Sequence, residues 1–288
     1  MNIFEYAKFK KIFGGSGGGS GSGALQCIQV NPTKNMNITN FIGLNISFAS
    51  ARSIGESAFE DANCFATVDL PVATSIGSKA FLRCTNLESI DAPCVESVGD
   101  FAFYTTGLLN VDLPVATSIG ENAFEHSCVR SINLPNAISI GGWAFQSAYE
   151  LSQVYAPKVE SVAYGAFRYC KFWFAKIDLP SVTSIGAYAF GDCEVFDTLI
   201  LSNTETVCQL DASAVMGTKI ATEEGMPTGE GFIYVPTKFY EDYVTLIAQQ
   251  GAMFLMSQGM SEAEAAATAD YIARAILRKI EDYPEICG

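Results

Sequence analysis

The chain has 288 residues, 49% of them hydrophobic and 17% charged, and a formal net charge of −14. That much apolar material builds a continuous core and excludes wholesale disorder. The acidic balance excludes nucleic-acid binding and broad contact with anionic membrane, both of which need clustered lysine and arginine.

Met1–Phe13 reads as a short amphipathic peptide that gains order only from a partner, because thirteen residues are marginal as an isolated helix. It lacks the apolar core of a secretory signal, and no stretch of the chain approaches a membrane-spanning helix. Residues 14–23, Gly-Gly-Ser-Gly-Gly-Gly-Ser-Gly-Ser-Gly, form a flexible linker with a root-mean-square reach of about 17 Å. An added linker and a natural tether both fit this composition, and the irregular glycine-serine spacing favours the natural one. The Tyr-Ala-Lys head followed by a glycine run resembles the N-termini of some phage and prophage structural proteins of gut Firmicutes. That resemblance implies a peptide that docks the protein to a carrier particle.

Residues 24–52 read as an N-terminal cap, in which Ile46 to Ser53 aligns with Val68 to Ser75. From residue 53 to 201 the chain is a repeat array of seven units. A Ser-Ile/Val-Gly element returns at Ser53, Ser75, Ser97, Ser118, Ser139, Ser161 (where Ala163 replaces the glycine) and Ser184, with steps of 21 to 23 residues. An Ala-Phe pair follows each serine by five residues, and a proline stands four before the serine in six copies. Units of this length cannot bury their apolar face alone and must stack. Leu87, Ile90, Ile76 and Phe81, echoed by Phe174, Ile177, Ile185 and Phe190, mark the inward positions. The Leu-x-x-Ile-Asp-Leu-Pro segment predicts a short parallel strand ended by proline. The glycine of Ser-Ile-Gly suits a positive φ, and the Ala-Phe segment predicts a tight helical or 3₁₀ turn on the opposite wall.

The recurring pattern Leu-Pro-x-Val-x-Ser-Ile-Gly-x-x-Ala-Phe-x-x-Cys resembles the BspA-like leucine-rich-repeat family over roughly residues 46–201. The resemblance implies a curved solenoid used for binding at cell or virion surfaces, without catalytic residues.

Strand alternation sends the side chains two, four and five before each proline outward. Two before proline stand Asp69, Asp91, Asp112, Asn133, Tyr155 and Asp178. Stacking brings neighbouring carboxylates to about 5 Å, a repulsion of roughly 0.8 kcal/mol per exposed pair. This is tolerable for a solvated face, whereas a calcium site needs six to eight converging oxygens. Aromatic residues that protrude from the coils are the candidate ligand-binding set: Trp143, Tyr149, Tyr155, Tyr169, Phe172 and Trp173. Such side chains anchor protein or glycan partners. Of the nine cysteines, Cys84, Cys170 and Cys193 each follow the repeat phenylalanine by three residues, with Cys64 and Cys128 displaced by one or two. This regularity predicts reduced thiols filling a small core position.

Residues 202–288 read as a C-terminal cap. Gly231–Pro236 is a last strand, followed by a helix from about Thr237. A second helix starts near Ser261, where Ser-Glu-Ala-Glu264 forms a capping box, and runs until Pro284. Its alanine-rich stretch, residues 261–280, departs from the C-terminal pattern of BspA-like proteins. No phosphate-binding loop, metalloprotease helix or nucleophile elbow occurs. The single histidine, His126, reads as a surface or packing residue. The expected protein is thus a non-enzymatic, leucine-rich-repeat solenoid with short parallel β-strands on one wall, without cofactor or metal. Its expected partners are protein or glycan on a cell surface and, through Met1–Phe13, a carrier particle. The place of action is extracellular or on a virion, with a cytoplasmic stage before assembly and release by lysis.

Overall fold

The computed structural model describes residues 44–171, 176–193, 195–222 and 225–287. The docking peptide 1–13, the linker 14–23, most of the N-terminal cap and the candidate residues Phe172 and Trp173 lie outside the described residues. Each coil has three walls. The first carries the predicted strands, Phe65–Asp69, Ser89–Asp91, Asn110–Asp112, Ser131–Asn133, Gln153–Tyr155 and Lys176–Asp178. They pair in parallel, with Asp69 opposite Asp91 and Asn133 opposite Tyr155. Leu44–Ser47 adds a preceding rung that sets Ile46 opposite Val68. This wall is interrupted after Asp91 and again after Tyr155, giving three separate sheets.

The second wall is the Ser-Ile/Val element itself. Its two-residue rungs form one continuous eight-stranded parallel sheet. The last rung is Gln209–Leu210, which pairs with Ser184–Ile185; stacking therefore runs past the final Ser-Ile-Gly motif. The glycines after these rungs do not take positive φ. At Gly77, Gly99, Gly120, Gly141 and Gly186 an added Cβ would stand 2.5 to 2.8 Å from backbone atoms of the coil before. Close approach of coils, rather than turn geometry, excludes a side chain there.

The third wall holds the Ala-Phe segments as runs of tight turns, as expected, and none lengthens into a helix. Among the described residues, thirteen non-glycine residues have φ between 51 and 63°. They occupy the residue before Ala-Phe (Lys79, Phe101, Trp143, Tyr188) and the second after it (Arg83, Thr105, Tyr169, Asp192). Left-handed residues spaced four apart stop a helix from propagating. Instead, alternate N–H groups donate to the next coil. Lys79 reaches the Asp100 carbonyl, Phe81 that of Ala102 and Arg83 that of Tyr104, each at 2.8 Å. The N–H groups between them close tight turns within the coil, such as Cys84 to Phe81 at 3.1 Å.

The core is a phenylalanine stack. Phe59, Phe81, Phe103, Phe124, Phe145, Phe167 and Phe190 follow one another at 5.0 to 5.5 Å, the last five contacts within 10° of parallel. All are buried. Such pairs add about 0.5–1.5 kcal/mol each beyond their buried area. Leu70, Val95, Ala102 and their counterparts fill the remaining space.

Three residues past the phenylalanine the side chain must be small. Cys84, Cys170 and Cys193 are buried there, and each Sγ donates to the phenylalanine carbonyl of the coil before, at 3.0, 3.1 and 3.0 Å. Thr106 and Ser127 fill the same place and donate to their own phenylalanine. Cys64 is also buried, but Cys128 is exposed. With Ser127 occupying the pocket, Cys128 falls one position out of register.

A helical hairpin closes the C-terminal end: α1 (Tyr240–Ser257) and α2 (Glu262–Ile276). Gly251 of α1 lets Ala269 of α2 approach to 3.3 Å of where its Cβ would stand. Side chains of α1 replace the missing next coil. The buried Tyr243 hydroxyl accepts from the Cys208 N–H at 2.8 Å. Gln250 accepts from the Ala212 N–H at 2.6 Å and donates to the Leu210 carbonyl at 3.0 Å. Ser261 precedes α2 in extended conformation, and its hydroxyl meets the Glu264 carboxylate at 2.5 Å. The capping box is thus a side-chain pair. The second helix does not reach Pro284: Leu277–Lys279 is a strand, parallel to Phe232–Val235, with buried Leu277 opposite Ile233.

Candidate functional site

The outward side chains of the turn wall sit on the left-handed residues. For an L-residue that conformation costs roughly 1–2 kcal/mol relative to its right-handed alternative, and glycine escapes the cost. One coil uses glycine, Gly165 with φ +59°. Its neighbours carry Trp143 and Tyr188. A Cβ on Gly165 would come within 2.9 Å of the Trp143 ring, so the indole lies across the bare backbone.

From Trp143 a connected cluster runs through three coils. Its ring meets Tyr164 edge-on at 5.1 Å, and Tyr164 meets Tyr188 at 6.0 Å. The Arg168 guanidinium lies 4.7 Å from the Tyr169 ring centre and 4.8 Å from that of Tyr188. Its Nε donates to Asp192 Oδ2 at 2.6 Å. Partial burial tends to lower the arginine pKa, but the Asp192 hydrogen bond and charge prevail and raise it. The cation is thereby fixed between two aromatic faces. Tyr164 and Tyr169 are each 40% exposed.

A smaller group precedes it on the same wall. Phe101 packs on Tyr104 at 5.8 Å, and Tyr104 on His126 at 5.8 Å. Beneath lies the buried carboxylate of Glu125, bonded by Asn122 and by Gln146 at 2.9 Å, with His126 Nε2 at 3.6 Å. At the N-terminal end of the wall Arg83 grips Asp61 with two bonds, at 2.7 and 2.8 Å. That hydrogen bond holds the Asp61 carboxyl below the usual carboxylate range.

Of the predicted set, the structure links Trp143 and Tyr169 through this cluster and sets Tyr149 and Tyr155 apart from it. Tyr155 projects from the strand wall at 57% exposure, in the position aspartate holds elsewhere, and Tyr149 lies beyond the turn at 51%. Sequence reasoning missed Tyr188 and Arg168. The signal was available in their fixed offsets from Ala-Phe, one before and one after the pair. On the strand wall the aspartates are held by neighbouring coils: Asp69 by Ser47, Asp112 by Asn133 and Asp178 by Ser202, at 2.6 to 2.8 Å.

Ser127 Oγ is committed to the Phe124 carbonyl at 2.6 Å. Among the described residues no group of three His, Cys, Asp or Glu could hold a metal ion, and no helix is long and apolar enough to cross a membrane.

Parallel coils with a phenylalanine core, closed by a helical hairpin, define a leucine-rich-repeat solenoid. The chain matches the BspA type leucine rich repeat region, in six copies, over residues 52–173 and 162–224, and it belongs to that family. Among solved structures it is similar to a leucine-rich repeat protein from Bacteroides ovatus ATCC 8483, with 20% identity, 65% of this chain and 53% of that one covered, and a TM-score of 0.44. A leucine rich cell surface protein from Faecalibacterium prausnitzii A2-165 has 22% identity, 56% and 45% coverage and a TM-score of 0.41. The pneumococcal vaccine antigen PcpA has 14% identity, 68% coverage of each chain and a TM-score of 0.28. The chain spans about half the length of the first two. No curated protein matches it.

Proposed function

We propose that the chain is a non-enzymatic adhesion protein, carried on a phage or prophage particle, whose solenoid binds a protein or glycan on a cell surface. The observation that supports this most is the cluster of Trp143, Tyr164, Tyr188, Arg168 and Tyr169. Tryptophan, tyrosine and arginine are the residues that dominate binding energy at interfaces, and rigid aromatics lose little entropy on binding. Here they are fixed by mutual contact before any partner arrives. The Tyr-Ala-Lys head and glycine run support the carrier role: Met1–Phe13 docks to the particle while the linker lets the solenoid search orientations.

The test is adhesion of the purified full chain to intact bacterial cells. Replacing Trp143 and Tyr169 together by alanine should lower bound protein at least tenfold with circular dichroism unchanged; unaltered adhesion refutes the site. Deleting residues 1–23 should leave adhesion intact and abolish incorporation into particles. Normal incorporation of the truncated chain would refute the carrier role and favour an adhesin of the bacterial surface itself.

A further inference from the structure

We infer that the turn wall takes a glycan chain laid along the solenoid axis, an inference that rests on the adhesion reading above and names its ligand. The first ground is local conformation. Phe101, Trp143, Tyr169 and Tyr188 stand at left-handed positions, where glycine or asparagine would strain the backbone less. The same backbone recurs at Lys79, Asn122 and Ser147, so the coil sets the conformation, and what distinguishes this stretch is the run of rings that the coil holds outward.

The second ground is what the wall offers a ligand. Its alternate N–H groups and carbonyls are consumed between coils, so an extended peptide finds no open edge to pair with. Among the described residues, the large exposed apolar side chains in the Ala-Phe segments between 143 and 190 are Tyr164 and Tyr169. The surface presents aromatic faces interleaved with polar groups: tyrosine hydroxyls and the Arg168–Asp192 pair, joined at Nε.

That combination suits a sugar ring. The C–H face of a pyranose is weakly positive and stacks on the negative face of an aromatic ring, while its hydroxyl edge bonds to planar donors and acceptors. Trp143, Tyr164 and Tyr188 belong to successive coils, with ring centres 5.1 and 6.0 Å apart. A polymer running along the axis therefore meets one ring per coil. Nucleic acid would also stack, but the net charge of −14 opposes its phosphates.

The experiment measures binding of the full chain to a soluble β-glucan, an α-mannan and peptidoglycan glycan strands, and to fragments of one to six sugar units. At least one polymer should be retained, with affinity rising up to about three units and then levelling as the three coils fill. Trp143→Ala should weaken binding at least tenfold. So should Tyr188→Asn, which suits the left-handed backbone and keeps the coil folded; Tyr155→Ala on the strand wall should change it less than twofold. Retention of no saccharide, or loss on Tyr155→Ala alone, overturns the inference. Cells treated with periodate or with protease separate the two readings. Adhesion abolished by protease and spared by periodate makes the partner a protein, so the glycan falls and adhesion stands; absence of both adhesion and saccharide binding removes both.

Discussion

Truncating Phe124 to alanine tests whether the stacked rings hold the coils together. The ring is 1% exposed and lies between Phe103 at 5.0 Å and Phe145 at 5.1 Å, nearly parallel to each. Removing a buried phenylalanine side chain costs about 3–5 kcal/mol through lost transfer energy and the cavity left behind. Loss of two stacked contacts places this site at the upper end, about 5 kcal/mol. Domain stabilities are about 5–15 kcal/mol, so the variant should be close to unfolding. Because each coil touches only its neighbours, the damage sits where the two halves of the array join. In urea the unfolding midpoint should fall by about 1.5–2.5 M, taking a slope of about 2–3 kcal/mol/M. Lys79→Ala is the control: the side chain is exposed, and the shift should stay within about 0.5 kcal/mol. Equal shifts for the two variants would show that the rings are not the source of cohesion.

Burial pushes the Cys84 and Cys208 thiols up to about 12, and raises those of Cys170 and Cys193 as well. An unfolded thiol titrates near 8.5, so their contribution is fully present below that pH and is lost as pH rises towards 12. Urea midpoints measured from pH 8 to 11 should therefore decline, and Cys84→Ala should flatten the slope. Alkylation of native protein followed by mass spectrometry should mark the exposed Cys94 and Cys128 at once and leave Cys84, Cys170 and Cys193 unmarked until denaturant is added. Gln250→Ala should cost about 1–3 kcal/mol by leaving the Ala212 N–H and Leu210 carbonyl unpaired, and hydrogen exchange should speed up at Ala212 first. Gly99→Ala sets a methyl group 2.5 Å from the Ser78 nitrogen; overpacking of about 1–3 kcal/mol should appear as a lower melting temperature.

The period of the array and the inward phenylalanines were legible because both recur at fixed offsets and an unstacked coil has nowhere to bury its ring. Turn-wall geometry was not legible, since Phe101, Trp143 and Tyr188 are residue types that ordinarily avoid positive φ. The Ser-Ile-Gly glycine misled for a related reason. Glycine answers equally to a left-handed backbone and to crowding by another chain segment, and sequence alone does not separate the two. Ile280 keeps helical spacing with Ile276, so the strand Leu277–Lys279 between them showed only once Leu277 was seen to pair with Ile233. Of the candidate site, the exposed Tyr155 and the aromatic Trp143 could be read from composition. Their separation onto different walls depended on the coil geometry, as did the link from Trp143 to Tyr169 through Arg168.

The direction of the inter-coil hydrogen bonds has a mechanical consequence. In the Ser-Ile/Val wall and the turn wall these bonds run along the solenoid axis, joining each coil to the next. A load applied at one end of the array meets them in tension, one coil at a time, and not as a set sheared together. The array yields under such a load by peeling. Each detached coil of about 22 residues pays out up to about 75 Å of chain, while the coils beyond it stay folded. A solenoid built this way lengthens in steps when one end is pulled, with the end coils acting as a shock absorber for the rest.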